Sequence, residues 1–400
     1  MGEHLLYRVD EVMEMKTKRK ICVVTANRTD FSRLETALEE IQKHEGLELQ
    51  LIVIGAHLLD KAGYTVREIE RKGFPISHRI FMEIAGSTPT TMAKSVGLAM
   101  IELSSVFEHL KPDIVLTHGD RYEALAVGST AAIMNICVGH IQGGEVSGSI
   151  DESIRHALTK MSHLHFASTD ESKERIIKMG EDPDAVFNVG CPGTDILLRA
   201  PVMNKEETLR ELNKFTRVKS FSKSEDFILV LQHPVTTEFK SAGDQILETI
   251  DALMERPEQL IVIWPNIDAG AEDLSAALRR HPIFSREGTK FLKHLPSELF
   301  VNVIRNAACV VGNSSSGIRE ACYFGTPVVN VGSRQEGRER GGNVVDAPYN
   351  KEEIQRAIEA QVRHGRFEAE KIYGDGTAGR QLSHICATCE LPSVQKKIQY

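Results

Sequence analysis

Three acids, Glu145, Asp151 and Glu152, lie within eight residues of a stretch that opens with Gly143 and Gly144. A fourth, Asp120, stands in His118-Gly119-Asp120-Arg121, and Gln142 immediately precedes the two glycines. Several carboxylates in one place can share proton transfer, because unlike surroundings split their pKa values so that one acts as base and another as acid. A solvated acidic loop is the plainer reading of the same residues. Farther along, Gly312-Asn313-Ser314-Ser315-Ser316-Gly317 is a small-residue loop before a helical segment. Free N–H groups at such a helix start suit a phosphate. Glu320, one turn inside, suits instead the two hydroxyls of a ribose. Arg28, Arg121 and Arg334 can each offer a guanidinium fork to phosphate oxygens. His233, fixed before Pro234, can donate to a phosphate or a leaving oxygen.

Each of these residues also has an ordinary explanation, as a helix cap, a surface ion pair or a satisfied histidine. Their common position argues for more. Short apolar runs alternate with amphipathic stretches from residue 20 onward, the pattern of βα units feeding a parallel sheet. The predicted strands of the first half are 21–26, 49–55, 114–117, 136–141, 164–168 and a short one at 186–189, with helices at 33–44 and 90–110 among those between them. After a polar, charged stretch the pattern restarts, with strands at 227–232, 260–264, 290–293, 308–311 and 327–331. Nearly every polar candidate follows a strand directly, where open α/β sheets bind ligands. The expected fold is therefore α/β, with two doubly wound layers. The divisions expected are an extension at 1–19, a first domain at 20–200, a linker region at 201–225, a second domain at 226–370 and a tail at 371–400.

The chain has 400 residues, 41 % of them apolar, and its 48 basic and 56 acidic residues leave a net charge of −8. That length suits two domains with ordinary cores. An acidic chain has no global field for nucleic acid or an anionic membrane, so an anionic ligand must meet local cations. No apolar run approaches the roughly 20 residues of a membrane span, and the charged first 20 residues do not read as a secretory signal. The seven scattered cysteines fit free thiols in a reducing cytoplasm. Cys386 and Cys389 form one C-x-x-C without a second pair, so neither zinc nor any other metal is expected.

Taken in order, His118-Gly-Asp-Arg121, Gly143-Gly-Glu-Val-Ser-Gly-Ser-Ile-Asp151, Ser153-Ile-Arg-His156, Gln232-His-Pro-Val-Thr-Thr237, Pro265-Asn-Ile-Asp268, Gly312-Asn-Ser-Ser315 and Gly332-Ser-Arg-Gln335 resemble the hydrolysing UDP-N-acetylglucosamine 2-epimerases. The resemblance runs from about residue 21 to 376 and covers bacterial sialic- and legionaminic-acid enzymes and the epimerase half of the animal epimerase/kinase. It implies two Rossmann-like domains of the GT-B type facing a cleft, a UDP-sugar substrate, no cofactor and a homodimer or homotetramer. It places Arg28, Ser32, Arg121, His233, Asn266, Ser314, Ser315, Glu320 and Arg334 on the nucleotide, Ser32 on this ground alone. Asp120 and Asp151 fall at catalytic acid positions, and His233 would help UDP leave. The family has Glu where this chain has Gln142, and an amide cannot relay a proton at neutral pH. Either Glu145, Asp120 or Asp151 takes that duty, or the substrate differs, with a UDP-2,4-diacetamido-2,4,6-trideoxy sugar or a GDP-sugar as alternatives. A GT-B glycosyltransferase and a non-catalytic nucleotide-sugar sensor are the rival classes.

Overall fold

The computed structural model describes residues 18–86, 88–147, 150–214, 221–222, 225–265 and 268–399. The first sheet is formed by β1 (Arg19–Thr25), β2 (Leu47–Ile54), β3 (Ile76–Ile80), β4 (Ile114–His118), β5 (Cys137–Ile141), β6 (Leu164–Ala167) and β7 (Val186–Asn188). The second is formed by β8 (Phe227–Leu231), β9 (Gln259–Ile263), β10 (Thr289–Leu292), β11 (Cys309–Gly312), β12 (Val328–Val331) and β13 (Val344–Ala347). The helices of the first half are α1 (Arg28–Lys43), α2 (Val66–Arg71), α3 (Pro89–Leu110), α4 (Tyr122–Ile133), α5 (Ile150–Met161), α6 (Asp170–Lys178) and α7 (Pro192–Arg199). Those that follow are α8 (Lys205–Lys214), α9 (Ala242–Leu253), α10 (Ala271–Arg280), α11 (Ser297–Asn306), α12 (Ser315–Cys322), α13 (Lys351–His364) and α14 (Ala378–Thr388).

Both sheets are parallel throughout, in the orders β3-β2-β1-β4-β5-β6-β7 and β10-β9-β8-β11-β12-β13. The chain therefore reverses its direction of winding between β1 and β4 and again between β8 and β11. Such switch points open a crevice at the carboxyl ends of the strands. The strands read as unbroken apolar runs because helices cover both faces. In β1, Ile21 and Val23 enter one core while Cys22 and Val24 enter the core on the opposite face. In β8, Ile228 and Val230 face one way, and Phe227, Leu229 and Leu231 the other. Each large buried side chain of this kind contributes roughly 1.5–3 kcal/mol.

Two strands escape the periodicity argument. β3 carries exposed Ser77, His78 and Arg79, and β13 exposed Val345 and Asp346. Both are edge strands, half solvated, so they lack the apolar run that marks the central ones. The stretch 201–225, expected as a linker region, contains α8, whose Leu209 and Leu212 are buried with Leu229 and Ile261 of the second sheet. From the tail, α14 packs on α1 of the first domain through Leu382 and Cys386. No helix among the described residues is long and apolar enough to cross a membrane.

Candidate active site

At the second switch point, β11 ends in Gly312 at φ +130°, where a Cβ would lie 2.2 Å from the carbonyl oxygen of Leu231. Only glycine lets the ends of β8 and β11 approach so closely. Asn313 then fastens them: its Oδ1 accepts from the His233 N–H at 2.8 Å and its Nδ2 donates to the His233 carbonyl at 2.8 Å. Ser314 caps α12, accepting from the Ser316 N–H at 3.3 Å. The remaining N–H groups of the first turn, with the positive end of the helix dipole, face the cleft. Arg334 donates to the Asn313 carbonyl at 3.1 Å. Burial, reinforced by the Arg334 charge, pushes the His233 imidazole down to about 3. It is neutral at physiological pH and offers hydrogen bonds rather than charge. From the first domain, Arg33 of α1 donates to Ser315 Oγ at 2.8 Å and lies 3.7 Å from Glu320.

The first switch point supplies the acids. After β4, Asp120 is ion-paired to Arg155 of α5, whose side chain is 1 % exposed, and Arg338 of the second domain lies 3.8 Å from the same carboxylate. Arg121 reaches across the cleft to Asp268 at 2.6 Å and holds Glu123 at 3.0 Å. These two carboxylates more than offset the cost of burying the guanidinium and hold Arg121 well above its ordinary value. After β5, Gln142 adopts φ +65°, a conformation a side chain other than glycine rarely takes. Its Oε1 accepts from Arg319 at 2.5 Å and its Nε2 contacts Cys191 Sγ at 2.8 Å. Glu145 is ion-paired to Arg319 and lies 3.5 Å from Arg338. Burial alone would raise this carboxyl, but the two guanidiniums hold it below the ordinary range. Arg28 meets Glu68 at 3.4 Å, and Ser32 Oγ donates to the Arg28 carbonyl at 2.7 Å.

One cavity of about 310 Å³ collects Arg28, Ser32, Asp120, Arg121, Gln142, Asp151, His233, Ser314, Ser315, Glu320 and Arg334. Glu145 lies elsewhere, behind that cavity among Arg175, Arg338, Glu339 and Tyr373. Asn266 is outside the described residues. The cavity also contains residues that sequence reasoning did not select: Arg33, Arg155, Arg319 and Arg338, and the pair Asp30 and His118. His118 Nδ1 stands 2.5 Å from Asp30 Oδ1, and the other Asp30 oxygen accepts from the Ala26 N–H at 2.9 Å. His118 closes β4 and Asp30 lies in the first turn of α1, after β1, so their pairing depends on β1 and β4 being neighbours in the sheet. Among the described residues, no group of three or more His, Cys, Asp or Glu is arranged to hold a metal ion.

Two Rossmann-type layers facing one polar cleft define a two-domain α/β protein of the GT-B type. The chain belongs to the UDP-N-acetylglucosamine 2-epimerase family, whose model matches residues 39–387, and it is an enzyme of that family. A UDP-N,N'-diacetylbacillosamine 2-epimerase (hydrolyzing) of Legionella pneumophila is 35 % identical over 375 residues, which cover 94 % of this chain and 97 % of the relative. A UDP-N-acetylglucosamine 2-epimerase of Neisseria meningitidis is 33 % identical over 364 residues, 90 % of this chain and 91 % of the relative. The crystal structure of Methanocaldococcus jannaschii UDP-GlcNAc 2-epimerase in complex with UDP-GlcNAc and UDP superposes with a TM-score of 0.75 at 20 % identity, covering 92 % of this chain and 99 % of that one. At that identity the likeness speaks for the fold.

Proposed function

We propose that the protein is a hydrolysing 2-epimerase of UDP-2-acetamido sugars that releases UDP and the free manno-configured sugar. The observation that carries this reading is the meeting of the α12 N-terminus, His233 and Arg334 with Asp120 and Asp151 in one cavity. The diphosphate occupies the α12 end, with the ribose hydroxyls on Glu320 and further contacts to Arg28, Ser32, Arg121, Ser314 and Ser315. The C2 proton of the sugar is weakly acidic, so C1–O cleavage runs ahead and its electron pair leaves on the diphosphate oxygen. Preorganised donors stabilise that developing charge, His233 as a neutral hydrogen-bond donor. One of Asp120 and Asp151 then takes the C2 proton, giving 2-acetamidoglucal. Water adds at C1, and the other acid returns a proton to C2 from the opposite face.

Among substrates, the UDP-2,4-diacetamido-2,4,6-trideoxy sugar leads, supported by the name of the Legionella relative. UDP-N-acetylglucosamine is the second reading, supported by the Neisseria relative. Incubating the protein with each in heavy water tests both at once. The expected result is UDP together with a free sugar carrying deuterium at C2. Release of UDP only when an acceptor is supplied would identify a glycosyltransferase, and tight UDP binding without turnover of either sugar would identify a sensor. We place the enzyme in the cytoplasm as a homodimer or homotetramer. Seven free cysteines, six of them buried, support the first statement. Exposed Leu98, Ile101 and Ile133 on α3 and α4 support the second, which sedimentation analysis can check.

A further inference from the structure

We propose that Arg319 is a positioning residue that ties the diphosphate-binding end of α12 to the acid loop of the opposite domain, so that ligand binding at one sets the other. The inference rests on the epimerase reading of the cleft. Arg319 lies one turn inside α12 from Ser315 and is 2 % exposed. A guanidinium that deeply buried is costly unless it is paired with opposite charge, and here both terminal nitrogens are bonded. Its partners come from outside the second sheet and its helices: Gln142 Oε1 at 2.5 Å, the Glu145 carboxylate, and the ring of Tyr373 with its centroid 5.4 Å away. An apolar side chain at this buried position would serve stability at least as well, so the charge is explained by what it holds.

What it holds leads to the candidate acids. Gln142, in its left-handed conformation, directly follows β5 and stands nine residues before Asp151, which lies in the first turn of α5. The Glu145 carbonyl accepts from Arg155 Nη1 at 2.9 Å, and the same guanidinium grips Asp120. Arg338, also from the second domain, lies 3.5 Å from Glu145 and 3.8 Å from Asp120. A continuous set of contacts therefore runs from Ser315 through Arg319, Glu145 and Arg155 to Asp120. Glu145 stays ionised between two guanidiniums, which suits a fixed anchor and not a carrier of protons. A displacement of about 1 Å at the reacting groups can cost about 100-fold in rate.

The test compares Arg319→Met, Arg319→Lys, Glu145→Gln and the double variant Arg319→Met/Glu145→Gln, which leaves neither charge of that pair unpartnered. Arg319→Met is expected to lower kcat about 100-fold while KM and the Kd for UDP stay within about threefold, and Arg319→Lys to recover about tenfold of the loss. The double variant should be no slower than the slower single one, because both remove the same contact. Wild-type kcat in Arg319→Met, multiplied losses in the double variant, or UDP affinity falling in step with kcat would each overturn the proposal. Hydrogen exchange gives a reading independent of turnover, and remains available in the double variant if a single one fails to fold. UDP should slow exchange at residues 142–147 in the wild type and not in the variants, and a wild type without that protection also refutes the clasp. Absent turnover in the wild type would instead refute the epimerase reading alone.

Discussion

Asp120 is gripped from both domains, by Arg155 of its own and by Arg338 of the other. An amide at this position keeps the shape and loses the proton site. Asp120→Asn should therefore abolish deuterium incorporation at C2 while the Kd for UDP, measured by calorimetry, stays within about threefold, since the proposed diphosphate site is the α12 end at the other switch point. His233, held neutral by burial and by Arg334, contributes a hydrogen bond and no charge. His233→Gln should keep UDP affinity within about threefold, whereas His233→Ala should weaken it by about 1–2 kcal/mol, or five- to thirtyfold. Much of the residue level was legible in the sequence because a polar group just after a buried strand has a fixed place at the crevice. What was illegible are the pairings. Glu145 and Arg319 lie 174 residues apart and Asp30 and His118 lie 88 apart, so nothing local in the sequence marks them.

Among the elements, α12 is the most sharply determined by its sequence. Gly312 supplies a backbone conformation and a close approach that no side chain tolerates, Ser314 caps the helix, and Ser315 opens it. Gly312→Ala should destabilise the protein by about 3 kcal/mol and loosen UDP binding, read by urea unfolding and calorimetry. The central strands announce themselves through apolar runs buried on two faces, while β3 and β13, lying at edges, do not. α5 shows a different kind of dependence. Its first turn carries Asp151, and its end is capped from far along the chain: Lys396 Nζ donates to the carbonyl oxygens of Thr159 and Lys160 at 3.2 and 3.0 Å and to that of Ser162, just past the helix, at 2.5 Å. A positive charge there also complements the negative end of the helix dipole.

On the scale of the whole molecule, the polypeptide returns to its starting domain. α14 lies on α1, and Lys396 meets the buried Glu181 at 2.5 Å, beside His165 at 3.1 Å and Lys160 at 2.6 Å. Burial would raise the Glu181 carboxyl, but His165, Lys160 and Lys396 together hold it down to about 2, below its ordinary 4.5. A depressed carboxylate stabilises the fold fully above its unfolded value and loses that contribution as protons arrive. Wild-type stability should accordingly fall as pH drops from 4.5 toward 2, and Glu181→Gln should be less stable at pH 7 and vary less with pH across that window, as urea midpoints would show. The returning chain is also fastened just before α7. The Cys191 N–H donates to the Tyr373 carbonyl at 2.8 Å, and a Cβ on Gly190 would stand 2.9 Å from the Cα of Gly374. Outgoing and returning segments thus run side by side and are bonded where they pass. A methyl group on either Gly190 or Gly374 would push the two segments apart, so the returning chain is seated at a point that leaves no room for a side chain on either strand of the crossing.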